Sequence, residues 1–388
     1  MLRRDVIKGL AASTALVAAR RPAAAQSVLK IGMSMPLTGA GFATVGRQAV
    51  AGARLYVQQR GDQVAGRKIE LIVRDDSGVA DNARRIVQEM IVNEKVGIVG
   101  AGITPTALAI AQLATQAKMA TVVMISGASV TVDRSPYMTR TSFTLGQSSG
   151  IIGEWAAKNG AKRIVTLVND WAPGAEAEAA FIDRFTQGGG QIIEKIRIPL
   201  ANPDFAPFLQ RARDATPQAI FAFVPAGVGS TFAKQFVERG LDKSGIRIVS
   251  MSDVMDDDLL NGMGDAVLGV ITGGPYAAAH RSPENQAFVA AFKKANDNRR
   301  PNVVAVSAYD GMTLIARALE ATKGATDGTA LVEAMKGMKW DSPRGPVQID
   351  PATRDIVQNI YMRKVERLDG ELHNVEFETY PAVKDPAR

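Results

Sequence analysis

The feature that most constrains this chain is a long alternation of short β-rich runs with amphipathic helical stretches. Runs at Val28 to Met35, Lys68 to Arg74, Val96 to Gly100 and Ala120 to Ile125 open the series. Arg163 to Val168, Gln191 to Ile198, Ala219 to Val224, Ile246 to Met251 and Val267 to Ile271 continue it. Between the runs lies helical periodicity: Ala83, Ile86, Val87, Met90 and Ile91 fall on one face, with Arg84, Arg85 and Glu89 on the other. Phe205, Phe208, Leu209 and Ala212 repeat that spacing. Parallel strands need a crossover, and the crossover helix covers the sheet, so this order implies parallel sheets clothed in helices. A chain of 388 residues exceeds one compact core, and no repeat at solenoid spacing appears. Two α/β lobes are expected.

Charge narrows the range of partners. The formal net charge is +7, but residues 1 to 25 carry Arg3, Arg4, Lys8, Arg20 and Arg21 against Asp5, so this stretch alone accounts for +4. A remainder of +3 spread among mixed signs gives no basic stripe that could track phosphates, and nucleic acid is not an expected partner. The same 25 residues read as an export signal: a charged start, a short apolar segment from Gly9 to Ala19, then Pro22 and Ala23-Ala24-Ala25 as a cleavage site. The apolar segment is too short to span a membrane. Adjacent Arg3 and Arg4 resemble a twin-arginine signal. The expected location is the periplasm, with cleavage near Ala25. No cysteine is present, which excludes a disulfide, a thiol nucleophile and a thiolate metal site. With only two histidines, His280 and His373, no transition-metal site or cofactor is expected.

Several short motifs fall in a fixed order. They are Ile31-Gly32-Met33-Ser34-Met35-Pro36-Leu37-Thr38-Gly39, Gly46-Arg47-Gln48, Asp75-Asp76 closing a strand, Met124-Ile125-Ser126-Gly127-Ala128-Ser129, Arg140-Thr141, and Ala308-Tyr309-Asp310. Together they resemble the leucine/isoleucine/valine-binding family of periplasmic proteins, across nearly all of the chain beyond the signal. The resemblance implies the type I periplasmic binding protein fold, two Rossmann-like lobes with parallel sheets joined by a three-strand hinge. It places the crossings near Gln147, Tyr276 and Asp350. Lobe one is then 27–146 plus 277–350, and lobe two 147–276 plus 351–388. It further implies a monomer that hands a small carboxylate-bearing solute to ABC permease subunits in the inner membrane.

In open parallel sheets, ligands sit beyond the carboxyl ends of the strands. After Val96 to Gly100 comes Thr104-Pro105, read as a helix cap and the first helical residue. The amino end of a helix suits a carboxylate. After Ala120 to Ile125 comes a turn of small residues that allows close backbone approach. The resemblance implies that Thr104, the Ala128 backbone and Ser129 grip a carboxylate, and that Asp253 sits where the family pairs an acid with an amino acid's ammonium. Where the family's amino-acid binders carry aromatic residues, this chain has Pro225-Ala226-Gly227, which enlarges the cleft. Phe42, Trp171 and Tyr309 offer flat apolar contacts. An aromatic acid is therefore expected ahead of a branched-chain amino acid, and a periplasmic ligand sensor is a further alternative.

No catalytic residue is expected. Gly146-Gln147-Ser148-Ser149-Gly150 fits a nucleophile pattern, but such a serine needs a strand running directly into a tight turn and helix. Here the motif falls at a crossing, where Ser148 and Ser149 read as helix caps. Neither a phosphate-binding loop nor a zinc-binding helix motif is present.

Overall fold

A computed structural model of the chain describes residues 28–39, 41–200 and 204–387. The export signal expected over residues 1–25 lies outside the described residues. The first half builds a sheet from β1 (Val28–Met35), β2 (Gln63–Val64), β3 (Arg67–Asp75), β4 (Ile98–Ala101), β5 (Thr121–Val123) and β6 (Met138–Arg140), in the order β2-β3-β1-β4-β5-β6. All of its pairings are parallel except the short β2-β3 turn-back. Helices α1 (Ala43–Arg60), α2 (Ala80–Glu89) and α3 (Thr104–Gln116) supply the crossovers. Ala83, Ile86, Val87 and Met90 are buried against Ile72 and Val99, the face their spacing predicts.

Helix α4 (Leu145–Lys158) opens the second lobe. It is followed by β7 (Arg163–Asn169), α5 (Ala172–Gln187), β8 (Gln191–Ile198), α6 (Ala206–Asp214), β9 (Ala219–Phe223), α7 (Gly229–Glu238), β10 (Arg247–Met251), α8 (Leu260–Met263) and β11 (Ile271–Gly274). Strands β8-β7-β9-β10-β11 are parallel neighbours. The chain then returns through α9 (Pro283–Ala295) and α10 (Val303–Ala321) to lie against α1. After α11 (Gly328–Met335) it forms β12 (Lys339–Ser342), β13 (Gly345–Ile349), β14 (Ile356–Leu368) and β15 (Glu371–Val383).

Two sequence expectations change here. Residues 339–349, expected in lobe one, hydrogen bond into the second sheet, because β12, β13, β14 and β11 form one continuous antiparallel ladder. The long β14-β15 hairpin was not anticipated. It turns at Asp369 and Gly370, both at positive φ, the geometry that a two-residue turn between twisted strands requires.

Buried polar side chains tie the crossings together. Thr144 and Gln147 cap α4 reciprocally, and Gln147 Nε2 donates to Ile356 O at 2.9 Å and Val383 O at 2.8 Å. Thr144 is thus the cap, while Ser148 and Ser149 lie buried inside the first turn, where Ser149 Oγ meets Met251 Sδ at 3.0 Å. Arg140 pairs with Asp355, and its Nη2 donates to Ala128 O at 2.7 Å. Arg344 Nε donates to Asp310 Oδ2 at 2.8 Å, while its Nη1 reaches Ser142 O and Gln358 Oε1. Arg140, Arg344 and Asp310 are each buried with several partners, the condition under which a buried ion pair is tolerated. One apolar cluster runs without a break from Ile103, Ile125 and Val304 through Phe143 and Leu145 to Phe223, so the space between the lobes is walled by core-like side chains.

Candidate ligand cleft

A narrow cavity of about 70 Å³ lies where the carboxyl ends of the two sheets face each other. From the first lobe come Phe42, Val45, Ile103, Thr104, Ile125, Ser126 and Gly127, with Val303 and Val304 from the start of α10. Phe143 and Leu145 enter at the crossing into α4. From the second lobe come Trp171, Pro173, Phe223, Pro225, Ala226, Asp253 and Asp256.

Each group is positioned by the element that ends beside it. Phe42 immediately precedes α1, and its carbonyl accepts the Gly46 N–H at 3.1 Å, so the ring leaves the helix start facing the second lobe. There it meets Trp171, the residue preceding α5, with ring centroids 5.6 Å apart and a 44° tilt. The Trp171 indole Nε1 is buried and has no partner among the described residues. Thr104 is the first residue of α3, with Ile103 in the capping position; its hydroxyl pairs with Ser126 Oγ at 2.9 Å rather than with the helix backbone. Ser126 Oγ in turn pairs with Thr131 Oγ1 at 2.8 Å.

On the opposite wall a 3-10 turn, Ser252–Met255, follows β10 directly and carries Asp253. Ser252 Oγ donates to Asp253 Oδ1 at 3.2 Å. Burial raises the Asp253 carboxyl to about 6, opposed by the Ser252 hydrogen bond, its own backbone N–H and the buried Arg363 guanidinium. Burial together with the neighbouring Asp258, Asp253 and Asp257 carboxyls pushes Asp256 well above the usual range. Asn302 Nδ2 donates to both Asp256 Oδ2 and Asp258 Oδ1, and Gln48 Nε2 donates to Asp258 Oδ2 at 3.0 Å. These bonds join α1 and the head of α10 to the second lobe beside the cavity.

Five of the residues singled out from sequence therefore converge on the cavity: Phe42, Thr104, Trp171, Ala226 and Asp253. Ala128 and Ser129 follow the lining residue Gly127 but do not themselves line it. The Ala128 carbonyl is held by Arg140, and the Ser129 N–H donates across the cleft to Glu176 Oε1 at 2.8 Å. Tyr309 lies elsewhere. Adjacent positions on a helix point about 100° apart, and Asp310 is turned inward to Arg344 and Trp340, so Tyr309 faces away from the cleft. Its ring packs on Tyr56 and Phe288, and its hydroxyl donates to Gln59 Oε1 at 2.7 Å. The cleft is also less open than Pro225-Ala226-Gly227 suggests. Phe223 and Phe143 supply aromatic walls, and Gly227 lets the lobes touch: a Cβ there would stand 2.9 Å from Gly41 Cα. The carboxyl-end rule applied to β9 would have found Phe223, its last residue.

The histidines are not gathered with Ser148 or Ser149. His280 Nδ1 lies 2.8 Å from Glu376 Oε2, and His373 contacts Arg300. Among the described residues, no cluster of His, Asp and Glu is arranged to hold a metal ion, and no helix is long and apolar enough to cross a membrane.

Two α/β lobes facing each other across a walled cavity define a solute-binding clamp. The chain belongs to the periplasmic binding protein family, whose model matches residues 28–371. It is 40% identical over 369 residues to a Leu/Ile/Val-binding protein homolog of Brucella melitensis, covering 94% of each chain. Among solved structures, it is similar to an ABC-transporter solute-binding protein from Rhodopseudomonas palustris BisB5 in complex with 3,4-dihydroxybenzoic acid. The identity is 58%, the TM-score 0.91, and the coverage 93% of this chain and 99% of that one. A second R. palustris solute-binding protein, from strain HaA2 and in complex with p-hydroxybenzoic acid, matches at 38% identity and a TM-score of 0.89 over 93% of this chain and 99% of its own.

Proposed function

We propose that this chain is the solute-capturing component of an ABC importer and that its ligand is an aromatic carboxylic acid. The observation that carries the reading is the cavity wall: Phe42, Trp171, Phe143 and Phe223 line the space, with few polar groups beside them, Thr104 and Ser126 from the first lobe and Asp253 and Asp256 from the second. A planar ring fills such a slot without stranding polar groups, and its carboxylate finds the Thr104 and Ser126 hydroxyls near the amino end of α3. Ala128 and Ser129 complete the carboxylate end once Glu176 withdraws from the Ser129 N–H. The crossings near Gln147 and Tyr276, and the one that precedes β12, act as the hinge, and closure around the solute presents both lobes to the permease. The protein works in the periplasm as a monomer after cleavage near Ala25.

A branched-chain amino acid is the second reading, favoured by the name of the Brucella relative and by an acid at Asp253 that could take an ammonium. A thermal-shift panel separates the two, because a ligand at 100 times its Kd stabilises the fold by about 2.7 kcal/mol. Benzoate, 4-hydroxybenzoate and 3,4-dihydroxybenzoate raise the melting temperature if the aromatic reading holds. A response to leucine, isoleucine and valine with none to the aromatic acids refutes it.

A further inference from the structure

We propose that this chain carries a second binding site, outside the ligand cleft, in a groove beside α1 that both lobes wall. Its ligand is a hydroxylated polycarboxylate, and occupancy strengthens closure of the clamp. The groove has a volume of about 760 Å³ and shares no lining residue with the cleft.

Helix α1 serves both spaces. Phe42 and Val45 at its head line the cleft, whereas Thr44, Gln48 and Arg54 line the groove. Asp258 and Leu259 enter the groove from the second lobe, and Leu55 and Phe292 give it apolar lining. Gln48 is only 7% exposed. Its amide nitrogen donates to Asp258 Oδ2 and to the Arg300 carbonyl, both at 3.0 Å, which fixes the orientation of the amide. Oε1 is left as a buried acceptor with no partner among the described residues, and the buried Thr44 hydroxyl is in the same position. Buried polar atoms are normally satisfied, so two orphans lining one groove point to a ligand that brings a donor of its own.

Charge identifies the rest of the ligand. Arg47, Arg54 and Arg299 line the groove and are exposed, and none of them forms an ion pair among the described residues. Arg47 is steadied by the Leu37 carbonyl, to which its Nη1 donates at 3.1 Å. Against these three stand the exposed Asp297 and Asp258, whose two oxygens are already taken by Gln48 and Asn302. Arg47 and Arg54 are two turns apart, about 10 Å along α1, so a ligand with separated carboxylates engages both where a lone oxyanion serves one. A hydroxyl on the same ligand supplies the donor that Gln48 Oε1 lacks. Because Asp258 and Leu259 belong to the second lobe, the groove is complete only with the lobes together, and its occupant favours the closed state. Asn302 Nδ2 donates both to Asp258 in the groove and to Asp256 in the cleft wall, a direct contact between the two sites. By reciprocity, a filled groove tightens the cleft's hold on its solute.

The test is isothermal titration of the full, ligand-free chain at fixed ionic strength with citrate, with tricarballylate, which is citrate without its hydroxyl, and with inorganic phosphate. Citrate should bind tightest, exceeding tricarballylate by about threefold or more, the range of one hydrogen bond. Arg54→Gln combined with Arg299→Gln, both at exposed positions, should weaken citrate at least about tenfold. Lys243→Gln, which removes an exposed cation from the Asp242–Ser244 turn of the second lobe, should leave citrate binding unchanged. In saturating citrate, whichever solute the thermal-shift panel identifies should bind about fivefold or more tighter. The citrate titrations use no cleft solute, so they stand or fall apart from the aromatic reading. The assignment is overturned by an absence of citrate binding, by phosphate or tricarballylate binding as tightly as citrate, by an equal loss in Lys243→Gln, or by a solute affinity indifferent to citrate.

Discussion

Asp253 ties the ligand cleft to the stability of the fold, and Asp253→Asn exposes the link. In the folded chain, burial holds this carboxyl's proton up to about pH 6, against an ordinary value of 3.8. Between those values the folded state binds more protons than the unfolded chain, so stability falls as pH rises through the window and levels off above it. At about 1.4 kcal/mol per pH unit, the cost of ionising Asp253 in place comes to about 3 kcal/mol at neutral pH. An asparagine side chain would keep the shape and never ionise, so the variant is more stable than wild type at pH 8 by up to that amount. An unfolding entropy of roughly 2.1 cal/mol/K per residue over about 360 residues converts this into a rise of about 4 °C. The assay is differential scanning calorimetry of both ligand-free proteins from pH 4 to pH 8. The difference should hold near its full size from pH 8 to about pH 6, fall between pH 6 and the unfolded value of 3.8, and be small near pH 4. Asp256 and Asp258, also raised by burial, add a trend of the same sign to both proteins, although the variant relieves Asp256 of the Asp253 charge that helps raise it, and Arg363 offsets part of the rise at Asp256. A difference that stays constant across this range would refute the reasoning, since a packing effect carries no proton.

Three further outcomes follow from the contacts between and beneath the lobes. Glu176→Ala removes the carboxylate that accepts the Ser129 N–H across the cleft. Hydrogen bonds to charged groups are worth about 1.5 to 3 kcal/mol, so the ligand-free protein should scatter X-rays as a more open particle; an unchanged radius of gyration counts against the contact. Gly227→Val places bulk where even a Cβ meets Gly41 at 2.9 Å, so closure is blocked and ligand affinity drops at least about tenfold with little change in ligand-free melting. Retained affinity would mean that the lobes do not close to this distance. Arg140→Met breaks the buried ion pair with Asp355 and should cost about 3 to 5 kcal/mol in urea unfolding, part of it recovered by adding Asp355→Asn.

How far the sequence reveals this site depends on which physical rule fixes each residue. The parallel strands were legible because they are buried on both faces and read as unbroken apolar runs, as in β7 and β9. The β14-β15 hairpin mixes Arg363, Lys364 and Glu366 into its strands, and that hid it. Yet Asp369-Gly370 is the dipeptide that most directly signals a two-residue turn, so the information was present. Phe143 and Leu145 were not readable, since which apolar side chain faces a cleft is decided by how two separately folded lobes meet. Tyr309 shows the converse error: a landmark motif identifies a helix, but the inward turn of Asp310 decides which neighbour faces the ligand.

The acidic run shows where local geometry could have gone further. Asp253, Asp256, Asp257 and Asp258 are indistinguishable by composition. In a 3-10 turn, however, residues three apart eclipse each other, and Asp256, the residue that caps the Ser252–Met255 turn, stands three after Asp253. The observed division matches: the first two line the cavity, and Asp257 accepts from Asn374 Nδ2 and the Ala278 N–H. The three-residue spacing therefore pairs the two acids that line the cavity, while Asp257 braces the hinge return and Asp258 accepts from Gln48 and Asn302.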